Sequence, residues 1–98
     1  MNCFLVQIQF LKPFESFGDT IVKHRAYLQK GYDQGMILMS GPRADKTGGL
    51  CVARADNEEA LRDFFAHDPY KLEKLAEHVI VPFTAAKYQP ILENWVNR

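Results

Sequence analysis

The sequence of residues 36–55 is MILMSGPRADKTGGLCVARA, in which two short apolar runs flank a loop rich in turn residues. The runs at 36–40 and 50–55 have the length and the composition of β-strands. A Gly-Pro pair closes the first run, and the loop at 43–49 is short enough to join antiparallel neighbours. These residues therefore predict a β-hairpin whose first strand is buried.

The pattern of apolar residues changes twice before this hairpin. Residues 3–10, CFLVQIQF, alternate between two faces, which predicts a strand. Residues 17–33 switch to helical periodicity. One narrow stripe of that helix holds Phe17, Ile21, His24, Leu28 and Tyr32. Gly35 follows at the place where a C-terminal helix glycine is expected.

A second helix and a fourth strand are predicted after the hairpin. Residues 56–59, DNEE, indicate a helix start with Asp56 as the capping residue. Residues 78–83, HVIVPF, predict a strand. Pro82 favours an edge position for that strand, because proline cannot donate a hydrogen bond to a neighbouring strand. A last helical turn is predicted at 90–96.

The order β-α-β-β-α-β predicts an α+β protein with the ferredoxin-like split β-α-β fold, as a single domain over residues 1–98. We expect a four-stranded antiparallel sheet with both helices on one face. The other face of the first strand still carries Cys3 and Leu5, so something else must cover it. The simplest cover is a second copy of the chain, which predicts a homodimer.

Composition and charge narrow the class of function. Among 98 residues, 12 Lys and Arg balance 12 Asp and Glu. Because there is no basic surplus to neutralise phosphates, we expect no nucleic-acid partner. No apolar run approaches the ~20 residues that a membrane helix needs, and no leader is recognisable. We therefore expect a cytoplasmic protein, in which Cys3 and Cys51 are buried free thiols.

His24 and Asp68 are the strongest candidates for a site, because each places a polar side chain on an apolar helix stripe. His24 is either a core histidine satisfied by the backbone or a general acid or base. Asp68 is either the cap of the turn that follows it or the partner of a buried group, since an unpaired buried carboxylate is costly. Because both helices pack on one sheet face, we predict a dyad in which Asp68 orients the imidazole and sets its tautomer.

Other polar residues are weaker candidates. Ser40 ends the second strand, where its hydroxyl would donate to a substrate or to the dyad, and Gly41-Pro42 is either part of the site or a plain turn. His67 is expected to face solvent, and His78 is expected on the surface of the last strand. The three histidines lack the spacing of metal ligands and the two cysteines lie on separate strands, so we expect no metal and no other cofactor.

Several short motifs together resemble the YCII-related (YciI-like) domain family along nearly the whole chain. They are HRAYL at 24–28, Gly35, SGP at 40–42, DNEEA at 56–60, DPY at 68–70 and EHVIVPF at 77–83. The resemblance implies a dimeric ferredoxin-like α/β-barrel with a histidine/aspartate-centred active site. The histidine corresponds to His24 and the aspartate to Asp68, with Asp33 as a rival. The residues that would line the cleft are Ser40, Gly41, Pro42, Pro69 and Tyr70.

Two functional hypotheses follow, from different classes. The first is a small cofactor-free enzyme that uses His24 and Asp68 for an elimination or isomerisation on a small cyclic or chlorinated enol or quinol, as in the dehydrochlorinase-like branch of the family. The second is a non-catalytic module that binds a small molecule or a partner and holds a structural His–Asp pair. An accessible nitrogen on His24 favours the enzyme, and a sealed pair favours the binding module.

Overall fold

A single antiparallel sheet of four strands forms the centre of the computed structural model, which describes residues 2–97. The strands are β1 (Asn2–Phe10), β2 (Ile37–Pro42), β3 (Gly48–Ala55) and β4 (Ala76–Phe83). The helices are α1 (Thr20–Asp33), α2 (Glu58–Ala66), α3 (Pro69–Leu72) and α4 (Glu93–Val96), with 3-10 turns at Phe14–Ser16 and Pro90–Leu92. The strand order is β2-β3-β1-β4. This arrangement confirms the predicted ferredoxin-like fold and its β2–β3 hairpin.

The core lies between the helices and one face of the sheet. Alternate residues of β1 point toward the helices, so Phe4 and Val6 are at most 1% exposed. They belong to one apolar cluster with Leu61 and Phe65 from α2 and Leu28 from α1. Each fully buried side chain of this kind stabilises the fold by roughly 1.5–3 kcal/mol relative to an exposed one. The period-2 and period-3.6 patterns of the sequence therefore meet in a single core.

The helix ends depart from the predicted ones in two places. Helix α1 begins at Thr20, and Phe17 precedes it within an aromatic cluster, with its ring 4.9 Å from that of Phe10. The predicted cap of α2, Asp56, is wrong by one residue. Asn57 is the cap, because its backbone is extended and its side chain accepts a hydrogen bond from the Ala60 N–H at 2.8 Å. An Asn or Asp side chain can cap only from the position immediately before the helix.

Strand β2 is not the buried strand that its apolar sequence predicts. Only Ile37 of its residues is buried, and Met39 is 57% exposed. The reason is its position: β2 lies at one edge of the sheet, with β3 as its single neighbour. Strand β4 is the opposite edge, which agrees with the prediction from Pro82.

The face of the sheet away from the helices carries apolar side chains that remain exposed. Their exposed fractions are 40% for Leu50, 39% for Val79, 39% for Val81 and 44% for Phe83. Cys3, on this face, is nonetheless buried. Cys51 is also buried, and both cysteines are free thiols. No helix within residues 2–97 is long and apolar enough to cross a membrane.

Candidate active site

Asp68 is fully buried, and its carboxylate accepts three hydrogen bonds. Oδ1 accepts from Nδ1 of His24 at 2.7 Å and from the backbone N–H of Tyr70 at 3.0 Å. Oδ2 accepts from Nε2 of His78 at 3.0 Å. The side chain therefore serves in both of the ways considered from sequence, because it caps α3 and also meets His24.

The ionisation of Asp68 determines the protons on both imidazoles. Burial alone would raise the pKa of this carboxyl group, but the hydrogen bonds from His24 and His78, the attraction of His24 and the Tyr70 N–H together lower it below its usual value. An ionised carboxylate can only accept hydrogen bonds, so each ring nitrogen that faces it must carry hydrogen. In its neutral form His24 is therefore the Nδ1–H tautomer, with its lone pair on Nε2.

The second ring nitrogen of His24 is open to a cleft. The side chain is 11% exposed and lines a cleft of about 750 Å³. No hydrogen bond to Nε2 is present within residues 2–97, and this atom is not among the buried polar atoms left without a partner. A buried carboxylate on one side of the ring and a free nitrogen on the other are what proton transfer requires.

Tyr70 holds the imidazole plane in place. Its ring is parallel to that of His24, with the centroids 3.7 Å apart and an interplanar angle of 1°. The rings of Phe17 and Phe10 pack edge-on against the ring of Tyr70, with centroid distances of 4.9 and 6.0 Å. Burial raises the pKa of the Tyr70 hydroxyl and the charge of Asp68 adds to this, while Arg25 opposes it. The hydroxyl therefore stays protonated at neutral pH and is able to donate a hydrogen bond.

The cleft brings together most of the residues that were predicted to line it. Ser40, Gly41, Pro42 and Tyr70 all line it with His24. The hydroxyl of Ser40 makes its hydrogen bond with the hydroxyl of Tyr32, at 2.5 Å, and not with His24 or Asp68.

Two of the other sequence candidates lie elsewhere. Pro69 does not line the cleft and instead occupies the first position of α3, where proline needs no backbone N–H. Asp33, the rival aspartate, is exposed and accepts a hydrogen bond from Gln29 at 2.9 Å. It does not contact His24.

His78 was expected on the surface, and that expectation is wrong. Its side chain is 6% exposed, and its Nδ1 is buried with no hydrogen-bond partner. His78 lies opposite Ile8 in the β1–β4 pairing, so it points to the helix side of the sheet. His78 shares this face with Ile80, two residues later, which packs against the core, but both faces of β4 are apolar, so alternation alone did not show which one points inward. His67, by contrast, is exposed as expected.

The remaining reactive groups near Asp68 do not resemble nucleophiles or metal ligands. Burial, together with the charge of Asp68, raises the pKa of the Cys51 thiol to about 12, so it stays protonated and inert. Within residues 2–97, no group of three or more His, Cys, Asp or Glu side chains is arranged to hold a metal ion. Proton transfer at Nε2 of His24 is the chemistry that the described geometry offers.

The comparisons with known proteins agree with this architecture. A model of the YCII-related domain matches residues 9–84. No curated protein matches the chain. Among solved structures the chain is similar to the 5-chloro-2-hydroxyhydroquinone dehydrochlorinase of Burkholderia phenoliruptrix AC1100 in complex with 2,5-dihydroxybenzoquinone. The TM-score is 0.64 at 20% identity, over 89% of this chain and 93% of that one, so the likeness establishes the fold. Since the family model spans most of the sequence, the chain belongs to the YCII-related domain family.

Proposed function

We propose that the protein is a small acid–base enzyme, in which His24 transfers a proton on a cyclic enol- or quinol-type substrate bound in the cleft. The observation that carries this proposal is the environment of the His24 ring. Nδ1–H is held by the buried carboxylate of Asp68, while Nε2 faces the cleft without a partner. A purely structural pair has no need of an accessible nitrogen.

The proposed reaction is an elimination or an isomerisation. Nε2 takes a proton from a carbon or hydroxyl next to a carbonyl group, and the electron pair moves into a new double bond. In an elimination the leaving group departs as an anion, and in an isomerisation the imidazolium returns the proton to another atom. Asp68 stabilises the imidazolium in either case. General acid–base catalysis of this kind contributes typically ~10²–10⁴-fold, which suits activated substrates.

The protonated hydroxyl of Tyr70 is a candidate donor to the substrate oxygen on which negative charge develops. It has no hydrogen-bond partner within the described part of the chain, and its ring is stacked on His24. Ser40 offers a second hydroxyl in the lining of the same cleft. The similar dehydrochlorinase was solved with a dihydroxybenzoquinone, which supports a substrate of this size and type.

The test is turnover of a chlorinated hydroxyquinol, followed as chloride release, in the wild type and in His24→Gln. We expect His24→Gln to lower the rate by about 10²-fold or more while the ligand still binds. His67→Gln is the matched control, because His67 is exposed and does not line the cleft. Ligand binding with no turnover of hydroxyquinols or related enols would instead support the non-catalytic binding module.

We also propose that a second copy covers the open face of the sheet, as the sequence predicted. The support is the exposure of Leu50, Val79, Val81 and Phe83 on that face, because soluble monomers rarely leave a large contiguous apolar patch uncovered. Sedimentation at micromolar concentration is the test. We expect twice the mass of one chain, and a single species of monomer mass would contradict the proposal.

A further inference from the structure

We propose that the cleft takes a substrate that is already a small organic anion, with a negative oxygen of an ionised enol, phenol or carboxylate group held by the cationic side chains at its rim. This inference rests on the proposed function, because it assigns the class of substrate on which His24 acts. It is carried by the charges around the cleft.

Cationic side chains outnumber acidic ones in the lining of the cleft. Arg25 comes from α1, next to His24, and Arg43 and Lys46 come from the loop between β2 and β3. Glu15 is the one acidic side chain among the lining residues. The chain as a whole has 12 basic and 12 acidic residues, so this excess is a local feature and not a consequence of composition.

Two of these cations are available to a ligand. Neither Arg25 nor Lys46 forms an ion pair or a side-chain hydrogen bond within residues 2–97. Arg43 does pair with Asp45, at 3.2 Å, but both side chains are about half exposed, and pairs of this kind contribute little. An anion in the cleft would supply the missing partner for Arg25 and Lys46.

Arg25 acts at the end of the cleft where the chemistry is proposed. Arg25, His24 and Tyr70 line the same cleft, so the guanidinium is on hand for a negative charge on a ligand bound there, and its charge acts to lower the pKa of the Tyr70 hydroxyl. Apolar side chains form much of the surrounding wall, among them Phe10, Phe14 and Leu28. A charge contact is stronger beside such a wall than in open water, because the local dielectric constant is lower.

The carboxylate of Asp68 acts against an anionic substrate, since its charge raises the pKa of the Tyr70 hydroxyl, but Asp68 itself does not line the cleft. It is fully buried, and its two oxygens accept hydrogen bonds from His24, His78 and the Tyr70 N–H. These three hydrogen bonds disperse the negative charge of the carboxylate. When Nε2 removes a proton from the bound anion, the further negative charge on the substrate is stabilised by the same cations.

The test compares two quinones that differ in charge. 2,5-Dihydroxybenzoquinone is ionised at neutral pH, whereas 2,5-dimethoxybenzoquinone has the same ring and cannot ionise. We expect calorimetric titration of the wild-type protein to give an affinity at least about tenfold higher for the ionised ligand. Added salt should weaken its binding, because salt screens partly exposed charges, and should leave the dimethoxy compound unaffected.

Variants connect this preference to the named residues. Arg25→Gln and Lys46→Gln should each weaken binding of the ionised quinone about fivefold, without effect on the dimethoxy compound. Lys30→Gln is the matched control, since Lys30 is an exposed cation of α1 that does not line the cleft. The inference would be overturned by equal affinity for the two quinones or by an unchanged affinity in both variants. It would also be overturned if the ionised quinone did not bind at millimolar concentration.

The result is separable from that of the proposed function. Charge-dependent binding with full turnover in His24→Gln would reject the assigned role of His24 and leave the anion preference standing. Loss of turnover in His24→Gln, without any charge dependence of binding, would support the role of His24 and reject the anion preference.

Discussion

The two faces of the sheet depart from the usual separation of polar and apolar side chains in opposite directions. On the helix side, a carboxylate and two imidazoles are buried within an apolar core. On the other side, Val79, Val81 and Phe83 are each about two-fifths exposed. Buried polar groups are costly unless they bind one another, and exposed apolar groups are costly unless a partner covers them. On the first face the carboxylate binds both imidazoles, although Nδ1 of His78 has no partner, whereas on the second face these apolar side chains remain exposed within residues 2–97.

The largest expected effect is at the centre of the polar cluster. Asp68→Ala would leave the Nδ1–H of His24, the Nε2–H of His78 and the Tyr70 N–H without an acceptor. We expect the free energy of unfolding to fall by about 3–5 kcal/mol, as measured by urea denaturation. A loss below about 1 kcal/mol would mean that the cluster is not held together by its carboxylate.

A smaller effect is expected at His78. His78→Phe keeps a ring of similar shape but removes one donor to Asp68, so we expect a loss of about 1–3 kcal/mol of stability and slower turnover. His78→Gln keeps an N–H donor and should recover part of both. If the two variants behave alike, the hydrogen bond to Oδ2 contributes nothing, and His78 is only a packing residue.

The pH dependence of stability tests the same cluster without changing its shape. The folded state lowers the pKa of Asp68, so its contribution to stability is present above the unfolded pKa, near ~3.9, and is lost as the pH falls through the folded value. We expect the free energy of unfolding to decrease as the pH is lowered below about 4. Asp68→Asn should remove this component. If the free energy of unfolding of that variant still falls at low pH as in the wild type, the effect belongs to other carboxyl groups.

A substitution on the open face should change self-association and leave the stability of one chain almost unchanged. Val81→Thr leaves β4 with a β-branched residue, and the side chain is already 39% exposed, so the stability of one chain should change by less than about 0.5 kcal/mol. Self-association should weaken, as measured by the concentration dependence of sedimentation. The matched control is Lys12→Ser, an exposed change outside the strands. A change in stability at Val81 without a change in association would contradict the proposed second copy.

Local patterns were sufficient for the order of the elements and for two of the buried polar residues. The alternation in β1 and the helical stripe through His24 depend only on residues two to four positions apart. Such spacings are visible directly in the sequence. The same reasoning failed at β2, because an apolar strand at an edge has the sequence of a buried one. It also missed His78, because the register of β4 depends on its pairing with β1.

Periodicity along the chain therefore shows which side chains share a face, while the packing of distant elements establishes which faces meet. His24 and Asp68 are 44 residues apart, and their contact requires α1 and the start of α3 to pack side by side. The stacking of Tyr70 on His24 and the grouping of Arg25 with Lys46 around one cleft arise in the same way. Periodicity acts over a single helical turn or strand repeat, whereas these contacts come from burying apolar surface between elements that are distant in the chain.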